Sequence, residues 1–372
     1  MLYLDNSATT QILPEVRTAM LPYLMEEFGN PSSKYYLAAE NAKKAVNEAR
    51  MSIASLLGCA DKEIIFTSGS TESNNMIIKG IADYYSDQGN HIITTKVEHP
   101  SVLETCKFLE TKGFDVTYLD VDSFGRIDLK ELSASISDST ILVSIIWGNN
   151  ELGSLNNMKE ISDLCLERKI FLHTDATQVI SKVAIDLTEF PGVNFLSCSA
   201  HKFHGPKGIG AAFIRKDRYD ILAKITPLMH GGGQEEGYRS GTLAVHNIVG
   251  MGKASEISHI NLSNNIKKLC VLEEHIATLL NDKFKDMLIF NHDNEHKIPG
   301  ILSVQFKGIN NEILVKKLSP FIAASTGSAC SSSKPSHVLD AIGLSIEQVR
   351  NTIRFSLSPT IEKEDLNIFN EL

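Results

Sequence analysis

The chain alternates short apolar runs with longer stretches in which apolar residues recur roughly every three to four positions. The short runs are Glu63–Thr67, His91–Thr95, Val116–Leu119, Ile141–Ile146, Ile170–His173, Phe195–Ser197 and Ile209–Ile214. Several are apolar at consecutive positions, the pattern of strands buried on both faces. Between them Ala38–Leu57 and Met158–Arg168 read as amphipathic helices. Alternation on this scale predicts an α/β fold, a mostly parallel sheet covered by helices. From about Ala254 the texture changes. A long polar helical stretch, Ile257 to Phe284, precedes strands at Ile301–Phe306 and Thr352–Ser356. This predicts a smaller α+β domain after the large one, and 372 residues are more than one core commonly serves.

Composition narrows the function classes. With 42% hydrophobic and 22% charged residues the chain is neither disordered nor fibrous. A formal net charge of -9 argues against direct binding of nucleic acid or an anionic membrane. No apolar run is long enough to span a bilayer. Met1–Asp5 lacks the basic-then-apolar pattern of a signal peptide. The six cysteines, Cys59, Cys106, Cys165, Cys198, Cys270 and Cys330, are scattered without a Cys-x-x-Cys pair. That disfavours a disulfide framework or a structural zinc site and favours free thiols in a reducing cytoplasm.

In open parallel sheets ligands sit beyond the carboxyl ends of the strands, so the polar residues there hold the chemistry. Thr67-Ser68-Gly69-Ser70-Thr71-Glu72-Ser73 leads from a strand into a helix. Its hydroxyls and glycine suit a phosphate at a helix N-terminus, although a plain cap would use the same residues. Further strand ends carry Glu98-His99-Pro100, Gly148-Asn149-Asn150-Glu151, His173-Thr174-Asp175-Ala176-Thr177-Gln178 and Ser199-Ala200-His201-Lys202. A metal at His201 and His204 is a poor reading, because no acidic or thiol ligand is suitably spaced and Lys202 opposes it. Together the set offers a phosphate cradle, a carboxylate that can keep a pyridine nitrogen protonated, and a lysine able to bond an aldehyde. Those are the requirements of pyridoxal phosphate.

With these residues, and with Tyr3-Leu4-Asp5-Asn6-Ser7-Ala8-Thr9-Thr10, Phe28-Gly29-Asn30-Pro31-Ser32-Ser33 and Arg354-Phe355-Ser356, the chain resembles the class V aminotransferase group of fold type I pyridoxal-phosphate enzymes. Within it the match is to cysteine desulfurases of the NifS/IscS kind, over nearly the whole chain. The resemblance implies a large domain, 15–255, with a seven-stranded sheet that binds the cofactor. It also implies a small domain, 1–14 and 256–372, that carries the catalytic cysteine. Lys202 is then the lysine that bonds the cofactor, Asp175 the partner of its ring nitrogen, and Gln178 the donor to its phenolic oxygen. His99 stacks on the ring and moves protons, and Asn150 lies beside it. Ser70, Thr71, Ser199 and His201 meet the phosphate. Thr242 reaches the phosphate of a second subunit, which implies a homodimer. Arg354 clamps the carboxylate of the substrate, assisted by Asn30.

Cys330 lies in Ser325-Thr326-Gly327-Ser328-Ala329-Cys330-Ser331-Ser332-Ser333-Lys334-Pro335, where small residues read as a loop rather than a core segment. In the family this is the nucleophile. The implied reaction converts L-cysteine to L-alanine and leaves the sulfur as a persulfide on Cys330, whose thiolate Lys334 and His99 are placed to favour. The sulfur then passes to an acceptor protein, for iron–sulfur clusters, tRNA thiolation or phosphorothioate modification of DNA. The segment from Cys330 to Pro335 is shorter than in the housekeeping iron–sulfur desulfurases, and the chain stops at Leu372, soon after Arg354. Both regions meet acceptors in the family, so a specialised pathway is open. The rivals are a selenocysteine lyase, an aminotransferase or a kynureninase-like hydrolase on the same scaffold. A non-enzymatic docking protein is a further rival, but it would have no use for Lys202.

Overall fold

The computed structural model describes residues 1–327 and 335–371. Cys330 and Lys334 therefore lie outside the described residues. The chain opens on a two-residue strand, β1 (Leu2–Tyr3), followed by helices α1 (Pro14–Met25) and α2 (Leu37–Leu57). Seven strands then alternate with helices: β2 (Ile64–Thr67), β3 (His91–Thr95), β4 (Asp115–Leu119), β5 (Thr140–Ser144), β6 (Phe171–Asp175), β7 (Val193–Ser199) and β8 (Gly210–Ile214). They form one sheet in the order β2-β8-β7-β6-β5-β3-β4. The two pairings of β8 are antiparallel and the others parallel. All seven strands expected from the sequence are present, with ends that differ by one or a few residues.

The apolar runs have a direct cause. Successive residues of one strand enter opposite cores. Ile64, Phe66, Ile93, Val143, Leu196 and Phe213 pack with α2 on one face. Ile65, Ile92, Leu142, Phe195 and Ile214 pack with helices α3 (Ser70–Tyr84) and α4 (Pro100–Glu110) on the other. Both α3 and α4 begin within a few residues of the carboxyl end of a strand, which aims their N-termini at the region beyond the sheet.

A third cluster lies apart from these two. It joins Leu4 to Leu269, Leu272 and Ile276 of a long helix and to the strands β10 (Ile301–Phe306) and β12 (Thr352–Ser356). With β9 (Leu288–Phe290) these strands make an antiparallel sheet, β12-β10-β9. The short β11 (Ile322–Ala323) pairs in parallel with β1. The long helix runs from Val245 to Phe284 and so starts earlier than the polar stretch from Ile257 suggested. Its first turns carry Gly250 and Gly252, which weaken a helical reading. They are there for packing: a Cβ on Gly252 would lie 2.5 Å from Ala49 Cα of α2. The helix buries residues on both sides of its middle but none between Ser258 and Leu269.

Candidate active site

A cavity of about 590 Å³ opens beyond the carboxyl ends of the central strands. Nine of the expected site residues line it: Ser70, Thr71, His99, Asn150, Asp175, Gln178, His201, Lys202 and Arg354. Ser199 ends β7 beneath it, and a Cβ built on Gly69 would lie 3.5 Å from its Oγ, so this hydroxyl faces the start of α3. Thr242 and Asn30 are exposed and do not line the cavity of their own chain. Asn30 instead accepts at Oδ1 from the N–H of Ser32, at 3.0 Å, within its own turn.

The strand expected to end at His173 runs on to Asp175, the last residue of β6, which is buried. Both its oxygens accept N–H bonds, as those of a carboxylate do: Oδ2 from Asn74 Nδ2 at 2.8 Å and Oδ1 from Thr177 N at 3.0 Å. His99 caps α4, its Nδ1 accepting from the N–H of Ser101 at 3.1 Å. Burial depresses its pKa, Asp175 opposes that, and Lys202 and His337 add to it. Lys202 Nζ donates to the carbonyls of Ser7 and Ala8. Gln178 Nε2 donates to Ser7 O at 2.9 Å, while its Oε1 accepts from Lys182 at 3.2 Å. Burial, first, and then the charges of Lys202 and Arg354 bring buried Lys182 down to about 7. His201 is held to about 4, again by burial first and then by Lys202, Lys207 and Lys182.

Ser7, Thr177 and Lys182 carry polar atoms at or behind the cavity to which the sequence attached no role. The motif around Ser7 was visible, but its approach to Lys202 joins residues 195 positions apart and leaves no local signal. Arg354 is 1% exposed. Its Nη2 pairs with Asp5 Oδ1 at 2.7 Å and its Nη1 donates to the carbonyls of Asn150 and Gly327 at 2.9 and 3.3 Å. Arg354 Nε, Thr177 Oγ1 and Ser7 Oγ are buried without a hydrogen-bond partner among the described residues. Natural interiors leave few such groups, and three on one cavity mark it as built for a polar ligand. The donor set fits pyridoxal phosphate: hydroxyls at a helix start for the phosphate, a carboxylate for the ring nitrogen, and a lysine for the aldehyde.

The other five cysteines are free thiols, and burial raises the pKa of every one, that of Cys106, Cys165 and Cys198 to about 12. None of them is a ready thiolate.

The fold and this cavity define a fold type I pyridoxal-phosphate enzyme. The chain belongs to the class-V aminotransferase family, whose model matches residues 2–369. It is 45% identical to the cysteine desulfurase IscS of Dictyoglomus turgidum over 368 residues, covering 98% of this chain and 91% of that one. A solved NifS-like protein superposes with a TM-score of 0.92 at 37% identity, over 100% of this chain and 97% of the other. SspA, solved in complex with cysteine, gives 0.85 at 37% identity over 96% and 99% of the two chains. No helix among the described residues is long and apolar enough to cross a membrane.

Proposed function

We propose that this chain is a cysteine desulfurase that releases L-alanine from L-cysteine, holds the sulfur as a persulfide on Cys330 and hands it to an acceptor protein. One observation carries the reading: a single cavity gathers Lys202, Asp175, His99 and Arg354, the last with a buried, unanswered Nε among the described residues. Bound pyridoxal phosphate supplies an electron sink for negative charge at the substrate Cα. Asp175, fixed by Asn74 and Thr177, keeps the pyridine nitrogen protonated. Ser70, Thr71, Ser199 and His201 hold the phosphate, and Gln178 meets the phenolic oxygen. Arg354 takes the carboxylate of L-cysteine through the edge that Asp5 leaves open. Lys202 Nζ removes the α-proton, and His99 moves a proton at the sulfur side.

Cys330 completes the reaction. Its thiolate bonds to the substrate sulfur as the bond from that sulfur to Cβ breaks, and Cβ gains a proton. L-cysteine and a thiol thus give L-alanine and a persulfide. The exposure of Thr242, away from its own cavity, supports its reaching the phosphate of a second copy, and hence a homodimer with shared sites. A cytoplasmic setting suits thiols that must stay reduced.

The test is mass spectrometry of cysteine-treated protein beside alanine release. Wild type should gain one sulfur on Cys330 and release alanine. Cys330→Ser should still bind the cofactor but do neither, because a serine hydroxyl is protonated and a poor nucleophile towards sulfur. Sulfur on another cysteine, with alanine release unchanged in Cys330→Ser, would remove Cys330 from the reaction.

A further inference from the structure

The polar contacts around His99 form a chain with a direction, and it begins at Asp175. Asn74, on α3, is completely buried. Its Nδ2 lies 2.8 Å from Asp175 Oδ2 and 2.8 Å from Ser101 Oγ. A carboxylate only accepts, so the amide nitrogen must face Asp175. Turning the carboxamide over would set Oδ1 against a carboxylate oxygen. Oδ1 itself has no partner among the described residues, so nothing else there fixes the group. Both amide hydrogens are then used, one on each neighbour. Ser101 Oγ accepts from Asn74 and keeps its single hydrogen for His99 Nδ1, 2.8 Å away. The Ser101 N–H points at the same nitrogen from 3.1 Å. A ring nitrogen that faces two donors can only accept, so neutral His99 carries its hydrogen on Nε2.

We infer that Asn74 and Ser101 are positioning residues that relay the orientation set by Asp175 to His99 and hold it as the Nε2–H tautomer. A second proton on Nδ1 would place a donor against two donors. Burial and the charges of Lys202 and His337 also disfavour the imidazolium, and among the described residues Asp175 on β6 favours it. His99 therefore enters the reaction neutral, donating from Nε2 before it can accept. Its part in sulfur release rests on the function proposed above, whereas the tautomer rests only on these contacts.

The experiment uses full-length protein with ¹⁵N-labelled histidine, with and without bound pyridoxal phosphate, the His99 ring signals being assigned by His99→Gln. Wild type should show the Nε2–H tautomer at neutral pH and titrate below the ordinary histidine range. Ser101→Ala removes the hydroxyl donor. In Asn74→Asp the oxygen that replaces Nδ2 draws the serine hydrogen to itself and away from Nδ1. In both variants the His99 pKa should rise by about one unit and the Nδ1–H form should appear, since about one hydrogen bond is lost. The acid limb of alanine release should move with it. A wild-type ring protonated on Nδ1, or two folded variants with unchanged tautomer and titration, would overturn the inference. Alanine release by the wild type is scored separately, so failure of the desulfurase reading leaves the tautomer result standing.

Discussion

Arg354 has its charge answered on one side only. Asp5 and two carbonyls take its Nη groups, and Nε is buried without a hydrogen-bond partner among the described residues. A planar guanidinium with one edge pinned and one open is prepared to meet a carboxylate with two parallel bonds. Arg354→Lys keeps the charge but not the fork. It should raise the KM for L-cysteine about tenfold or more, equivalent to at least about 1.4 kcal/mol of lost binding, with a smaller change in kcat. Steady-state alanine release against cysteine concentration measures it, and an unchanged KM would free the carboxylate from Arg354. Lys202→Ala acts on the chemical step instead. It should abolish the cofactor's lysine-bound absorbance and slow alanine release by about 10²-fold or more, through loss of a general base. A variant that keeps wild-type turnover would show that another group removes the α-proton.

At the level of elements, the phosphate cradle depends on the start of α3. Its N-terminal N–H groups have no partners within the helix, and Ser70 and Thr71 add hydroxyls at the same point. Thr71→Val keeps the shape and removes one donor. It should weaken cofactor retention about tenfold, the worth of one hydrogen bond to a charged group. Absorbance after dialysis reads this directly, and full retention would remove Thr71 from the cradle. The strands of the main sheet were legible because burial on both faces demands unbroken apolar runs, as in Thr140–Ser144, where every residue is buried. The polar residues at their ends then gave most of the site. Two things were hidden. The two-residue strand Leu2–Tyr3 exists only through its pairing with Ile322–Ala323, and no local pattern announces a partner so distant. The first turns of the long helix were masked by Gly250 and Gly252, whose missing side chains admit Met20 and Ala49. Asn74 and Ser101 escaped for a related reason. Each reads as an ordinary polar residue near a helix start, and only the fold sets them between Asp175 and His99.

For the whole molecule, buried histidines predict how stability follows pH. Burial, above all, holds His173 and His292 well below the ordinary histidine range, His292 at about 3. Once the pH falls below the unfolded value of about 6.5, the unfolded chain binds protons that the folded chain refuses, so stability drops. Buried Glu98, raised to about 8, works in the opposite sense: it is protonated in the folded chain while still ionised in the unfolded one. His91, His99, His201 and His204 are depressed by burial as well, so the histidines outweigh the one carboxyl and stability falls as the pH drops from about 6 to about 5. Urea midpoints across that range should fall with pH, and a rise would mean that these histidines accept protons in the folded state. Assembly is the second test at this scale. Sedimentation should give a dimer, and Thr242→Ala should loosen the cofactor without changing that dimer. A fully active monomer would remove the shared site.

The opening residues of the chain are bound to some of its latest. Leu2, Leu4 and Asn6 donate their backbone N–H groups to the carbonyls of Phe321, Ala323 and Ser356, and the segment they anchor presents Ser7 and Ala8 to Lys202. A ribosome delivers these partners in the least convenient order. The sheet that carries Asp175 can close while synthesis continues, but Ser7 has no fixed place until Ser356 has emerged. The nascent chain thus carries most of its cofactor donors before the strap that meets Lys202 can be seated.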